Sequence, residues 1–229
     1  MIVLLFPQYC LLCNEKTDCA RSLCAVCEWQ LPWLGHNCRC CARPLTHLHA
    51  HHCGICLSRM PPIDQTWCCF HYQSPIKQWI SQYKFNQQLH FQTLFTHWLY
   101  QKILSTNSVI DVIIAVPIHR KRLKQRGFNQ CVLIARALAK LLNLRYEDHL
   151  LIRHQHTAAQ MTLPAKLRQK NIRGCFQVTQ PVEGLKILII EDIITTGSTI
   201  IEAAKTLKAS GANAVTVLAI ARASEHDKA

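Results

Sequence analysis

The stretch Ile187–Thr199, which reads Ile-Leu-Ile-Ile-Glu-Asp-Ile-Ile-Thr-Thr-Gly-Ser-Thr, decides the fold of this chain. Its first four residues are aliphatic, which is typical of a strand buried on both faces of a parallel sheet. Glu191 and Asp192 follow at the carboxyl end of that strand. The turn Thr195–Thr199 then opens a helical run, Ile200–Ser210, that stops at a glycine. This order predicts an anion site, because backbone N–H groups converge at such a turn and the helix dipole favours negative charge.

The acidic pair narrows the kind of anion. Carboxylates beside a phosphate suit a ligand that carries hydroxyl groups near its phosphate, which means a sugar phosphate. The segment has neither the spacing of a Walker loop nor that of a dinucleotide fingerprint. An ordinary strand–turn–helix unit is the alternative, but two carboxylates have no structural task at a strand end. Because that end is expected to be exposed, we expect Asp192→Ala to lower ligand affinity and leave the fold intact.

The composition is that of a folded, basic protein. The chain has 229 residues, 49% hydrophobic and 17% charged, which excludes a disordered chain. Lys and Arg number 26 against 13 Asp and Glu, so the formal net charge is +13. The apolar opening Met1–Phe6 is too short for a signal sequence, and no later uncharged run approaches the length of a membrane span. We therefore expect a soluble cytoplasmic protein without a membrane span.

Cysteine usage divides the chain into two parts. Twelve of the 14 cysteines lie before residue 70, and Met60-Pro61-Pro62 marks the change. We expect a cysteine-rich domain over residues 1–59 and an α/β domain over residues 60–229. Because cytosolic thiols stay reduced, four closely spaced cysteine pairs indicate zinc rather than disulfides. The eight thiolates, enough for about two structural Zn²⁺ ions, are Cys10, Cys13, Cys24, Cys27, Cys38, Cys41, Cys53 and Cys56.

The way in which these pairs share zinc stays open at this point. Ten residues separate the first two pairs and eleven the last two, which favours two successive zinc ribbons. A crossed arrangement, with the first pair joined to the third and the second to the fourth, is the alternative. A histidine could also replace a thiolate; the candidates are His36, His47, His49, His51 and His52. The remaining early cysteines are expected to be small buried hydrophobes; they are Cys19, Cys40, Cys68 and Cys69.

A second strand is predicted over Ile110–Val116, and a dense group of cations follows it. Pro117 ends the strand, and five of the seven residues from Arg120 to Arg126 are basic. A helix is expected to run from about Asn129 to Leu142. Ligands of open α/β sheets bind beyond the carboxyl ends of the strands, so this basic loop should lie beside the acidic pair and suit pyrophosphate. The alternatives are a solvated basic turn and a nucleic-acid patch.

Two motifs carry a resemblance to known families. The segment Ile187–Thr199 resembles the ribose-phosphate motif of type I phosphoribosyltransferases, with Glu191-Asp192 where Asp-Asp is common. The tract from Val116-Pro117 to Arg126-Gly127-Phe128-Asn129-Gln130 is similar to the signature of the ComF family of competence proteins. Tyr72, Lys84 and Phe85 resemble the start of that family's domain. The resemblance implies a type I phosphoribosyltransferase α/β fold, a mainly parallel sheet flanked by helices, behind a small double zinc ribbon.

The resemblance also implies a ligand, phosphoribosyl pyrophosphate (PRPP), with Mg²⁺ bridging its oxygens. Glu191 and Asp192 would hold the ribose hydroxyls as the catalytic pair. The residues that would cradle the 5′-phosphate are Thr195, Thr196, Gly197, Ser198 and Thr199. The residues of the pyrophosphate loop would be Pro117, Arg120, Arg122, Arg126, Gly127 and Asn129. The basic segment His154–Gly174, with Lys166 and Arg168, would be a mobile lid, or else a long connection with a short surface helix.

The family resemblance implies a role in natural transformation, the uptake and processing of single-stranded DNA, together with phosphoribosyl transfer. Its partners would be PRPP, single-stranded DNA and DNA-uptake helicase or processing proteins. Two alternatives keep the fold without transfer, namely a nucleic-acid-binding protein and a PRPP-responsive regulator. Aromatic residues in apolar helical runs are expected to be core rather than base-stacking platforms; they are Trp79, Tyr83, Phe91, Phe95 and Trp98.

Overall fold

The computed structural model describes residues 8–18, 21–85, 88, 90–154 and 172–224, with the backbone alone for residues 120–122. The cysteine-rich part contains two short antiparallel strands and two one-turn helices, β1 (Gln8–Tyr9), β2 (Lys16–Thr17), α1 (Ala25–Trp29) and α2 (Gly54–Ser58). The remaining strands are β3 (Gln65–His71), β4 (Val112–Ala115), β5 (Arg145–Tyr146), β6 (Leu151–Arg153), β7 (Phe176–Val178), β8 (Lys186–Ile194) and β9 (Ala214–Arg222). The remaining helices are α3 (Ile76–Phe85), α4 (His90–Leu104), α5 (Arg120–Arg126), α6 (Gln130–Leu142) and α7 (Ser198–Ala209).

Five parallel strands form the central sheet in the order β3-β9-β8-β4-β5. The predicted parallel α/β architecture is therefore confirmed. The strands β6 and β7 form a separate antiparallel pair that brackets the segment of residues 155–171. That segment, with the proposed lid residues Lys166 and Arg168, lies outside the described residues.

Alternate residues of the central strands enter two hydrophobic cores, as a sheet covered on both faces requires. Leu188 and Ile190 of β8 pack on the face covered by α3, α4 and α6. Ile187 and Ile189 pack on the other face, where α7 lies. All five predicted core aromatic residues are buried on the first face, which confirms that expectation.

The link between the two cysteine-rich halves protects one edge of the sheet. Leu34 donates its backbone N–H to Cys69 O at 2.7 Å, and His71 donates to Pro32 O at 2.8 Å. These bonds pair the link with β3, whose outer edge would otherwise present unpaired backbone groups. Cys40, Cys68 and Cys69 are buried as expected, while Cys19 lies outside the described residues. Among the described helices, none combines the length and apolar character needed to cross a bilayer.

Two predicted elements differ from the structure. The strand β8 continues through the acidic pair to Ile194, because β9 pairs with it as far as Arg222. The basic loop is a helix, α5, since Arg, Lys, Leu and Gln all favour helix and no glycine interrupts them before Gly127. Gly127 closes that helix at φ +83°, a conformation that glycine adopts without strain.

Candidate functional site

The acidic pair lies in the part of β8 that extends beyond the end of the neighbouring strand. The neighbouring strand β4 stops at Ala115, which pairs with Ile190, so β8 extends beyond it by the acidic pair and two isoleucines. Val116 makes the last backbone contact, donating its N–H to Ile190 O at 3.0 Å. Glu191 and Asp192 therefore stand at the carboxyl edge of the sheet, which is the position where open α/β sheets bind ligands.

Asp192 is buried, and two helices supply partners for its carboxylate. Lys84 Nζ of α3 lies 2.8 Å from Asp192 Oδ2, and Gln130 Nε2 of α6 donates to the same oxygen. Gln130 Oε1 accepts from Arg126 Nη1 at 2.5 Å, so the network reaches the last residue of α5. With 5% of Asp192 exposed, the premise that it stands at an exposed strand end is wrong. Its replacement must therefore be judged for stability as well as binding.

Burial and the neighbouring Asp192 charge make the ionised form of the Glu191 side chain unfavourable. Burial, followed by the charge of Asp192, raises the pKa of Glu191 to about 8, although Lys84 opposes this shift. The thiol of Cys131, on α6, lies 3.8 Å from Glu191 Oε1, and burial raises its pKa as well. A proton is therefore held among these groups near neutral pH, and the Cys131 thiol is inert rather than nucleophilic.

The acidic pair and Cys131 do not fit a protein-held Mg²⁺ site. Their donor atoms lie within 4.8 Å of one another. Mg²⁺ prefers oxygen ligands in octahedral geometry, whereas one of these donors is a protonated thiol and Asp192 Oδ2 already contacts a lysine. A Mg²⁺ ion in this region would have to arrive on an anionic ligand.

The glycine turn, residues Thr195–Thr199, connects β8 to α7. Gly197 sits at φ +79° and is the N-cap of the helix; it has no side chain with which to cap the helix, and Ser198 N–H donates to Thr196 Oγ1 at 3.3 Å. Thr196 Oγ1 and Ser198 Oγ lie 2.9 Å apart, so both hydroxyls face one small region. Since the first turn of a helix leaves backbone N–H groups without intrahelical partners, the turn offers donors to an anion.

Arg222 holds the base of the glycine turn. Its Nη1 atom donates to Ile194 O at 2.8 Å, to Thr195 O, and to Ala223 O at 2.9 Å. Its Nε donates to Cys41 O, in the cysteine-rich domain, at 2.8 Å. The residue is 4% exposed, so these bonds are shielded from water.

The residues assigned to pyrophosphate do not act as one loop. Pro117 precedes α5, and the backbones of Arg120 and Arg122 lie in α5. Arg126 and Gly127 end it. Asn129 instead is structural: its Oδ1 caps α6 through Cys131 N at 3.0 Å, and its Nδ2 donates to Val116 O at 3.0 Å. Among the side chains of this set that the structure describes, that of Arg126 is connected to the acidic pair through Gln130.

A cavity of about 710 Å³ opens beside this group of residues. Pro117, Leu123, Phe128 and Arg136 line one side, and His154 lies at the other, next to β6. Its volume is within the range of small-molecule sites in proteins. The cavity therefore provides room for a ligand next to the carboxyl edge of β4.

The eight paired cysteines form two groups of four. The first centre contains Cys10, Cys13, Cys24 and Cys27, and the second contains Cys38, Cys41, Cys53 and Cys56. The crossed arrangement is therefore wrong. The two groups contain only cysteines among the described residues, so no described histidine replaces a thiolate.

Both centres have the geometry of tetrahedral zinc. Cys13 Sγ and Cys24 Sγ lie 3.8 Å apart, and Cys41 Sγ and Cys53 Sγ lie 3.6 Å apart. Four sulfurs about 2.3 Å from a central ion are separated by about 3.8 Å. Burial raises the pKa of Cys41 to about 12, so a dication is needed to hold that thiol as thiolate.

Sequence reasoning missed three residues of the site: Lys84, Gln130 and Arg222. The sequence places Lys84 and Gln130 in segments that resemble the family, but it predicts no role for either residue. The available signal for Arg222 was its position as the only charged residue of the apolar strand β9. A charge that ends a buried strand without an adjacent counter-ion must find partners elsewhere in the fold.

Comparison with known proteins agrees with this architecture. A double zinc ribbon domain matches residues 1–57, and a phosphoribosyl transferase domain matches residues 81–229, more than half of the chain. DNA utilization protein YhgH of Escherichia coli K12 is 31% identical over 226 residues, which cover 96% of this chain and 99% of that protein. Competence protein F of Haemophilus influenzae is 29% identical over 230 residues, covering 95% and 98%.

A more distant relative is also named a competence protein. Competence protein ComFC of Bacillus subtilis is 27% identical over 201 residues, covering 82% of this chain and 79% of that protein. In this chain, the two family matches place the double zinc ribbon before the phosphoribosyl transferase domain. The chain therefore belongs to the ComF family of phosphoribosyltransferase-domain proteins with an N-terminal double zinc ribbon.

Proposed function

We propose that the carboxyl edge of the sheet binds PRPP as its Mg²⁺ complex. One observation carries this proposal: an acidic pair, Glu191-Asp192, extends beyond β4 and leads through the glycine turn into a helix whose N-cap residue is a glycine. Carboxylates that accept hydroxyl hydrogen bonds beside an anion-binding turn match a ribose 5-phosphate unit. Few other small anions combine those two requirements.

The ribose, the 5′-phosphate and the pyrophosphate of PRPP each have complementary residues at this edge. The ribose hydroxyls would donate to the carboxylates of Glu191 and Asp192. The 5′-phosphate would accept from the glycine turn and the first N–H groups of α7. The pyrophosphate would lie towards α5, with Arg120, Arg122 and Arg126 as the cations of that helix. Lys166 and Arg168 are proposed to belong to a lid that closes over the ligand.

We infer a transfer reaction at C1 of the ribose. The C1–O bond to pyrophosphate breaks while a nitrogen nucleophile forms a bond to C1 and then loses a proton. The Asp192 carboxylate beside the ribose, joined by that of Glu191 once it loses its proton, stabilises the positive charge that develops on the ring. The leaving pyrophosphate would depart as the Mg²⁺ complex in which PRPP arrives, with its charge partly neutralised. Holding the reactants in place provides much of the rate, so no nucleophilic side chain is required.

The test separates ribose recognition from simple phosphate binding. Calorimetry would compare ribose 5-phosphate with 2-deoxyribose 5-phosphate, which lacks one hydroxyl. We expect the deoxy sugar to bind at least about tenfold more weakly, since a buried carboxylate loses its donor. Glu191→Gln should reduce this discrimination, whereas Asp64→Asn, at an exposed ion pair with Lys208 outside the cavity, should leave it unchanged. Equal affinity for the two sugars in wild-type protein would contradict the assignment.

We also propose a cytoplasmic role in handling single-stranded DNA during natural transformation, alongside helicase or processing proteins. The support is the names of the relatives, a DNA utilization protein and two competence proteins, and the formal charge of +13. Binding through phosphate contacts depends strongly on salt. Fluorescence anisotropy with a labelled single strand should show affinity falling at least about tenfold between 50 and 200 mM salt. No binding at 50 mM salt would reject a direct DNA contact.

A further inference from the structure

Arg222 connects two parts of the protein that are far apart in the sequence. One side of its guanidinium group contacts the carbonyl of Cys41, whose thiol belongs to the second centre. The other side contacts the carbonyls of Ile194 and Thr195, where β8 enters the glycine turn. Cys41 and Arg222 are 181 residues apart in the chain, so this contact exists only in the folded protein.

The geometry requires arginine in particular. Donors on two sides of one rigid plane reach acceptors in two different segments, which a lysine ammonium on a flexible stem does not reproduce. The guanidinium charge is buried, so the fold must stabilise it through those carbonyls. Each carbonyl is correspondingly held in position by a charge-assisted hydrogen bond.

We propose that Arg222 is a positioning residue through which the second zinc centre fixes the glycine turn in its anion-binding shape. The inference rests on the proposed PRPP site for its functional consequence. Zinc orders the backbone of Cys41, Cys41 O fixes Arg222 Nε, and Nη1 holds the carbonyls of Ile194 and Thr195. With these carbonyls tied back, the following N–H groups face the ligand.

The first centre provides a control within the same chain. Its helix α1 attaches to the sheet domain through Glu28, whose Oε1 accepts from Trp98 Nε1 of α4 at 2.6 Å. That contact lies on α4, and no described contact links the first centre to the glycine turn. Loss of metal from each centre should therefore have different effects on ligand binding.

The experiment uses the full chain with one ligand removed from each centre. Cys53→Ser affects the second centre and Cys13→Ser the first. Both should lower zinc content, measured by mass spectrometry, from about two to about one. We expect Cys53→Ser to weaken ribose 5-phosphate binding at least tenfold in calorimetry, with Cys13→Ser within threefold of wild type. Equal affinities in the two variants, with zinc lost from each, would overturn the proposal.

A second measurement does not depend on the sugar ligand. Hydrogen exchange of the peptide that contains the glycine turn should be at least fivefold faster in Cys53→Ser and in Arg222→Lys than in wild type or Cys13→Ser. Unchanged exchange in Cys53→Ser would overturn the coupling even if the sugar binds. If wild-type protein binds no ribose 5-phosphate while the exchange difference is present, the proposed function fails and the zinc-to-turn coupling stands.

Discussion

Replacing Lys84 by methionine should destabilise the protein, because Asp192 would then be a buried carboxylate without its cation. The two charges lie 2.8 Å apart on side chains that are 16% and 6% exposed. At an effective dielectric constant of about 20, charges at that distance attract by about 6 kcal/mol, and desolvation offsets much of this energy. We expect Lys84→Met and Asp192→Asn each to cost about 3 kcal/mol. The double variant should cost about 2 kcal/mol less than the two single losses together.

The assay is urea unfolding followed by tryptophan fluorescence, in zinc-containing buffer, for wild type, both single variants and the double variant. The surface pair of Arg136 and Asp148 is the matched control, with its side chains 56% and 35% exposed. Its coupling energy should stay below about 1 kcal/mol. If the losses at Lys84 and Asp192 simply add, the reasoning that this ion pair compensates a buried charge is refuted.

Three further predictions follow from the same region and from the zinc centres. Burial and the Asp192 charge raise the pKa of Glu191 from 4.5 to about 8, so its contribution to stability is full below about pH 4.5 and is lost as pH rises through about 8. Wild type should lose about 2 kcal/mol between pH 6 and 8 in urea unfolding, and Glu191→Gln should lose little of it; parallel curves would contradict this. Gly197→Ala should cost about 1–2 kcal/mol from its left-handed φ alone, since the nearest atom to a new Cβ, Ile201 Cδ1, is 3.7 Å away. Gly54→Ala, which meets open space, should be nearly neutral in the same thermal melts, and equal losses would exclude backbone strain as the cause. Freshly purified reduced protein should contain about two zinc ions per chain by mass spectrometry, and a content near zero would reject the zinc ribbons.

The local order of the site was predictable from the sequence because short-range constraints set it. Four aliphatic residues, an acidic pair and a glycine turn can form little other than a buried strand leading into a helix. The grouping of the cysteines was less determined, since a chain of thiol pairs permits either successive or crossed centres. The fold chooses the successive arrangement, which places Cys13 beside Cys24 and Cys41 beside Cys53.

The partners of the acidic pair were not predictable, because they come from distant elements. Lys84 lies in the last turn of α3 and Gln130 begins α6, and nothing in either local sequence indicates that both reach Asp192. The same holds for Arg222 and the carbonyl of Cys41. The assumption that a strand end is exposed failed for a related reason: side chains from α3 and α6 contact Asp192, which is buried.

The most direct test of the account is a calorimetric titration of zinc-loaded, full-length protein with PRPP and Mg²⁺. Asp192→Asn, which keeps the shape of the side chain and removes its charge, would be measured beside Asp64→Asn, at the exposed pair with Lys208, as the surface control. Thermal melts would verify that both variants are folded at the temperature used. The account predicts saturable binding by wild type and Asp64→Asn, with affinity at least about tenfold lower in Asp192→Asn. Absence of PRPP binding by folded wild-type protein, or equal affinity in all three proteins, would contradict the assignment of this sheet edge as a PRPP site.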